Sequence, residues 1–293
     1  MALQEIWKRI DTRYADLPPQ IQRAARFVRE HPEDVALNSL RTLAGKAGVS
    51  PTSMTRLMQA LAFENWDAFQ REHRTWLTGG RRHVFSGRAD RLIHDMKRPG
   101  AEDELLDVVG QHECANVGAA FGRDARTALR EAANLIAEAK GVSIAGLRSC
   151  YPVAFGLHYA LSLFMPGVSL MGGAGVSLLD EMHRLGPGMV LVTISVDPYS
   201  RETVDAARHA RSLGARVIGI TDRALSPIAQ HADVTLVARN ESPAHIASPL
   251  GPMALSQALA LLVLTRSGNG ALEAMRRREA MFEATSAYLS EGQ

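Results

Sequence analysis

The chain has 293 residues, enough for about two domains at roughly 100–200 residues each, and its 46% hydrophobic and 22% charged residues are ordinary for a globular chain with a buried core. With 33 Lys and Arg against 31 Asp and Glu, the net charge is only +2, which excludes a histone-like polybasic protein. Cys114 and Cys150 stand in no CxxC or Cys/His spacing, which excludes a zinc site and a disulfide framework.

The charge is unevenly spread. The first hundred residues hold 17 basic and 11 acidic side chains, and the remainder 16 and 20. Within the first 80 the count is 11 against 9, so most of the excess lies just beyond, in Arg81, Arg82, Arg88, Arg91, Lys97 and Arg98. A basic linker over 81–110 is expected. The N-terminus lacks the apolar core of a signal peptide. No uncharged apolar run reaches about 18 residues, so no membrane span is expected and the chain reads as cytoplasmic.

Helical period comes first in chain order. Ile21, Ala24, Ala25 and Val28 form one apolar stripe, opened by Pro18-Pro19 and closed by His31-Pro32. Ser39 can cap a second helix with the stripe Leu40, Leu43, Ala44 and Ala47. Gly48 closes it where a positive φ is cheapest. After the turn Gly48-Val49-Ser50, Ser50 and Pro51 start a third helix with the stripe Met54, Leu57, Met58 and Leu61. Two short helices on a glycine-headed turn are a helix-turn-helix pattern, although a plain three-helix bundle has the same spacing. In the DNA-binding form, the second helix puts its N-terminal residues on base edges. The residues left off its stripe are Thr52, Ser53, Thr55, Arg56 and Gln59, and Lys46 and Arg41 on the preceding helix are placed to touch phosphates.

Beyond residue 110 strands alternate with helices. Apolar β-rich runs occur at Val142–Leu147, Val168–Met171, Met189–Ser195, Arg216–Thr221 and Val234–Ala238, with helical patterns near 152–165, 177–185, 201–213 and 227–231. Such alternation predicts a five-stranded parallel sheet covered on both faces, with ligands at the carboxyl ends of its strands. The loop after the first strand carries Arg148 and Ser149, and the loop after the third carries Ser195, Ser200 and Thr203. Hydroxyls and free N–H groups at helix starts make an anion cradle, and these two loops are expected to converge. Ser226-Pro227 is read as a helix cap. No GxGxxG follows a strand and no GxxxxGK[ST] occurs, so a dinucleotide site and a P-loop are not expected. Glu202, His158, His183 and His245 are conceivable acids or bases, though surface or packing roles suit them better. Asp180-Glu181 reads as a solvated helix face rather than a metal pair, and Cys150 as a small buried side chain.

The stretch Ile21 to Phe69, with the words LAGKAGVSPTSMTRLMQALAFENWDAFQ, resembles the N-terminal domain of the RpiR-type bacterial transcriptional regulators. The stretch Gly141 to Ser267 resembles the SIS (sugar isomerase) domain that such regulators carry, through IAGLRSCYPVA, SVDPYSRETVDAARHARSLGARVIGITD and SPIAQHADVTL. The resemblance implies an all-α helix-turn-helix domain at 1–80, a linker at 81–110, an α/β SIS domain at 111–270 and a C-terminal helix at 271–293. It implies a homodimer or homotetramer that binds operator DNA and a phosphorylated sugar or related anionic metabolite, with no cofactor, metal or catalytic residue. DNA contacts would come from Lys46, Ser50, Thr52, Ser53, Thr55 and Arg56, and ligand contacts from Arg148, Ser149, Ser195, Ser200 and Thr203. Two departures stand out. Arg148 replaces the family's usual glycine, and three extra residues separate Ser195 from Ser200. The alternative is an aldose–ketose sugar-phosphate isomerase with Glu202 or a histidine as base, since SIS domains also occur in such enzymes.

Overall fold

The computed structural model describes residues 3–75, 84–173 and 177–289. Arg81 and Arg82 of the expected linker lie outside them. The chain divides into two compact units, Met1–Asp95 and Met96–Gln293.

The first unit is helical: α1 (Leu3–Arg13), α2 (Pro19–Glu30), α3 (Pro32–Leu37), α4 (Leu40–Lys46), α5 (Pro51–Ala60), α6 (Trp66–Thr75) and α7 (Val84–Asp95). The stripes of α2, α4 and α5 form its core, with Ala24, Ala25, Val28, Leu43, Met54 and Leu57 sealed from solvent. The proline that closes α2 also opens a further short helix, because Pro32 takes the first helical position of α3. Ser39 caps α4 by accepting the Thr42 N–H at 3.3 Å, and Ser50 caps α5 by accepting the Ser53 N–H at 3.1 Å. The turn between them needs Gly48, whose φ is +64°. Val49 N–H then folds back to the Ala44 carbonyl at 3.0 Å, satisfying an end-of-helix acceptor.

The second unit opens with α8 (Ala101–Ala119) and α9 (Arg123–Ala137). Most of the described length of the expected linker is therefore helical, in α7 and the first half of α8. Then come β1 (Gly141–Gly146), α10 (Tyr151–Ser162), β2 (Val168–Met171), β3 (Met189–Ile194), α11 (Arg201–Ser212), β4 (Arg216–Thr221), β5 (Val234–Val237) and α12 (Leu250–Ala284). The five strands are all parallel, in the order β2-β1-β3-β4-β5. Alternate strand residues feed two apolar layers. Val142, Ile144, Val192 and Ile218 meet α9, α10 and α12 on one face. Ala145, Leu191 and Val217 meet α11 and the 3-10 helix Asp180–Arg184 on the other. The stripe on α11 is Ala206, Ala207 and Ala210, small enough to bring that helix close against the sheet.

The expected boundary at 270 falls inside α12, two residues past Gly268, where φ +56° and ψ −140° break the helical path. By length and composition α12 is long and apolar enough to cross a membrane. Here it is a core helix: Leu255, Leu259 and Val263 are completely buried in the apolar layer shared with α9, α10 and the sheet.

Candidate functional site

On α5 the apolar stripe faces inward and leaves an opposite polar face. Thr52 and Arg56 are exposed, and Ser53 and Thr55 half-buried. Neither the Thr52 nor the Arg56 side chain has a hydrogen bond or ion pair among the described residues. The other four residues expected to touch DNA are engaged locally. The Ser50 and Ser53 hydroxyls lie 3.0 Å apart, and the Thr55 hydroxyl donates to the Pro51 carbonyl at 3.1 Å. Lys46 Nζ lies 2.6 Å from Asp34 Oδ1, and that hydrogen bond, with the lysine charge behind it, holds the Asp34 carboxyl below its usual range. The pair is partly solvated and worth at most about 1 kcal/mol, so a phosphate can compete for the lysine.

In the second unit the strand order places the site. From β1 the chain crosses to β2 on one side, and β3 lies on the other. The carboxyl ends of β1 and β3 therefore flank the point where connections diverge, the place where open parallel sheets leave a crevice. The loop after β1 is Leu147 to Cys150, and the loop after β3 is Ser195 to Ser200. Cys150 and Val196, one from each loop, belong to the same buried apolar cluster, and burial raises the Cys150 thiol pKa. Cys150 is buried and Ser149 exposed. Arg148 is exposed and holds φ at +55°, a left-handed conformation costing a non-glycine residue roughly 1–2 kcal/mol.

Ser195, Ser200 and Thr203, in the loop after β3 and the first turn of α11, are buried, at 2%, 8% and 0% exposure. Ser195 Oγ accepts the Ser200 N–H at 3.1 Å and so closes its own loop. No side chain caps α11, although Ser200 stands at the N-cap with extended backbone. Thr203 heads the buried stripe of that helix, and its Oγ1 is buried without a hydrogen-bond partner among the described residues. A buried hydroxyl left unpaired costs about 1–3 kcal/mol. The helix start therefore offers unclaimed N–H groups, a positive dipole end and an idle hydroxyl together, the donor set for an oxyanion.

The longer loop after β3 is braced by a group that sequence reasoning missed. Tyr199 OH donates to Asp222 Oδ1 at 2.6 Å, Arg223 Nε lies 2.9 Å from Asp222 Oδ2, and Arg223 Nη2 lies 3.7 Å from Asp197. Burial, then the Asp222 charge, raises the Tyr199 phenol well above its ordinary pKa, so it stays a donor. The extra residues before Ser200 were a visible signal, but nothing in the sequence pairs Tyr199 with Asp222.

The conceivable acids and bases are dispersed. Glu202 and His245 are exposed. His183 is exposed too, with Nδ1 2.8 Å from the Asp180 carbonyl. His158 is half-buried, and burial lowers its pKa. Ser226, expected to cap a helix, does accept the Ala229 N–H at 3.1 Å with its hydroxyl, but it closes the turn before the short 3-10 helix Ala229–His231, whose N-cap position is Ile228. Glu181 is buried rather than solvated: its carboxylate accepts the Gly172 N–H at 2.7 Å and pairs with Arg184 at 3.3 Å. Among the described residues no group of three His, Cys, Asp or Glu is placed to hold a metal ion.

Residues 135–265 match the family model of the SIS domain. That stretch is a SIS domain. It is similar to the sugar isomerase domain of an RpiR transcription factor from Sphaerobacter thermophilus, at 26% identity and TM-score 0.57 over 60% of this chain and 99% of that one. The Vibrio vulnificus NanR protein, solved in complex with ManNAc-6P, shares the fold over 97% of this chain and 100% of its own, at 17% identity and TM-score 0.57. A glutamine–fructose-6-phosphate aminotransferase (isomerizing) from Aeropyrum pernix is 34% identical over 117 residues, 38% of this chain. The match spans only 18% of that enzyme's length.

Proposed function

We propose that the chain is a cytoplasmic transcriptional regulator. Its N-terminal helices bind operator DNA through the exposed start of α5, and its SIS domain binds a phosphorylated sugar or sugar acid. In this reading 1–80 is the DNA-binding part, 81–110 connects, 111–270 senses the ligand and assembles a homodimer or homotetramer, and 271–293 completes the packing. The observation that carries the sensing half is the uncapped start of α11 with the idle, buried hydroxyl of Thr203. The regulatory half is supported by the turn-linked pair α4–α5 preceding a SIS domain, and by the likeness to the RpiR sugar isomerase domain.

The ligand cradle works by donation. Ser200, Thr203 and the first N–H groups of α11 hold a phosphate, and Arg148 and Ser149 close the opposite side of the crevice. Regulation follows if the ligand binds the DNA-competent and incompetent arrangements with different affinity. The Ser50 hydroxyl is committed to capping, so base reading falls to Thr52 and Arg56, with Ser53, Thr55 and Lys46 toward phosphates.

Binding of the full chain to genomic and random DNA at two salt concentrations tests this reading. A protein neutralising several phosphates loses affinity steeply as salt rises. Arg56→Ala is expected to cost about 1–3 kcal/mol on preferred fragments and to flatten the preference, without change in the unfolding transition. Salt-independent or absent DNA binding by the wild type, together with turnover of sugar phosphates, would replace this reading with an isomerase.

A further inference from the structure

The loop from Ser195 to Ser200 ends where α11 begins, so whatever holds this loop also aims the N–H groups of the helix start. Two stitches fasten it to the neighbouring strand. At its beginning, the Ser195 N–H donates to the Ile220 carbonyl of β4 at 3.1 Å, carrying the β3–β4 pairing one residue further. At its end, the Tyr199 hydroxyl donates to Asp222 Oδ1 at 2.6 Å, one residue beyond β4. Only Val196, Asp197 and Pro198 lie between the two stitched residues.

Asp222 is a firm anchor. Its side chain is 4% exposed, and both of its oxygens have partners: Oδ1 also lies 3.3 Å from the Thr221 hydroxyl, and Oδ2 lies 2.9 Å from Arg223 Nε. Arg223 faces Asp197 at 3.7 Å, in the middle of the same loop. A carboxylate engaged on both sides has little freedom to follow the phenol if the loop shifts. Tyr199 immediately precedes Ser200, the N-cap of α11, and no side chain caps that helix. The phenol therefore fixes the chain just ahead of the helix start, where local capping does not. A loop already held in its binding shape spares the ligand the entropy of ordering it.

We infer that Tyr199 is a positioning residue for the anion: its hydroxyl, anchored on Asp222, holds the start of α11 in the shape that receives a phosphate. It acts through Ser200 and the helix start, not by contact with the ligand. This rests on the cradle proposed above and adds the residue that preorganises it.

Calorimetric titration of the full chain with inorganic phosphate, glucose 6-phosphate and fructose 6-phosphate tests it, at a temperature where circular dichroism shows every variant folded. Tyr199→Phe keeps the ring and removes the stitch. Asp222→Asn removes the charge but keeps a partner for the phenol, because an amide offers a hydroxyl either an acceptor or a donor whichever way it turns. Each variant loses a buried polar contact, so both are expected to unfold at lower denaturant. Affinity separates them. Tyr199→Phe is expected to bind about fivefold to tenfold more weakly, by the same factor for every probe the wild type binds, since phosphate is the shared group. Asp222→Asn is expected to change by less than about threefold. Undiminished affinity in Tyr199→Phe, a loss confined to the sugar phosphates, or equal losses in both variants overturns the inference and leaves the cradle standing. If the wild type binds none of the three probes, both the inference and the cradle are overturned.

Discussion

Thr203 sits on the first turn of α11, three residues past the N-cap Ser200, and its hydroxyl is buried and idle. Valine has nearly the same shape and lacks the hydroxyl, so Thr203→Val separates packing from ligand donation. The variant is expected to be as stable as the wild type or up to about 1–3 kcal/mol more stable in chemical denaturation, because an unpaired buried group is removed. Its thermal stabilisation by inorganic phosphate should shrink. A destabilised variant with undiminished phosphate response would mean that the hydroxyl serves packing alone.

His73 poses the opposite case in the N-terminal unit. It is fully buried beside Phe69, with ring centroids 4.6 Å apart, and its Nδ1–H donates to the Phe69 carbonyl at 2.9 Å. Burial lowers its pKa from 6.5 to about 4. The unfolded chain therefore binds a proton that the folded chain refuses between those values, and stability falls as pH drops through this window. The loss is about 3 kcal/mol by pH 4 at one unit per 1.36 kcal/mol. Urea unfolding from pH 7 to pH 4 should show this slope in the wild type, reduced in His73→Leu by that amount. A slope identical in both proteins would assign the acid sensitivity to other groups.

At the scale of elements, the loop from β5 to α12 is fastened by a helix more than a hundred residues earlier. Asn116 on α8 is fully buried, donates to the Glu241 carbonyl at 2.7 Å and accepts the Glu241 N–H at 3.1 Å. Glu113 receives both the Asn116 amide and the Ser248 hydroxyl. The chain then packs so tightly that a Cβ on Gly251 would stand 2.0 Å from the Arg239 carbonyl oxygen. Asn116→Ala strands a buried donor and acceptor of the loop backbone and is expected to cost about 2–3 kcal/mol, read as a lower denaturation midpoint with unchanged slope. Nothing in the sequence marks Asn116, because its partners are backbone groups at a separation that periodicity cannot reach. The helices and strands themselves were far more legible. Ser39, Ser50 and Pro51 announce α4 and α5 by capping chemistry, and the β-branched runs separated by glycine turns announce the strands. Residues 32–37 were less so, since a proline that ends one helix can equally begin the next.

For the whole molecule, the near-zero net charge conceals a division of labour, with a basic excess early and an acidic one late. The N-terminal unit is close to neutral through residue 80, so the case for DNA rests on the shape of α4–α5 and on Thr52 and Arg56 rather than on a strong field. Local order was determined by the sequence alone. The period of apolar residues, the caps and the turn glycines specify a helical region followed by a parallel, doubly covered sheet, because those signals act within a few residues of each other. The crevice was decided only by tertiary structure. Strand order brings the loops after β1 and β3 side by side, seats Ser195 on its own loop, leaves Thr203 idle and pairs Tyr199 with Asp222. The Tyr199–Asp222 contact joins residues 23 apart in sequence, and all of these arrangements depend on burial and orientation that only the folded sheet creates.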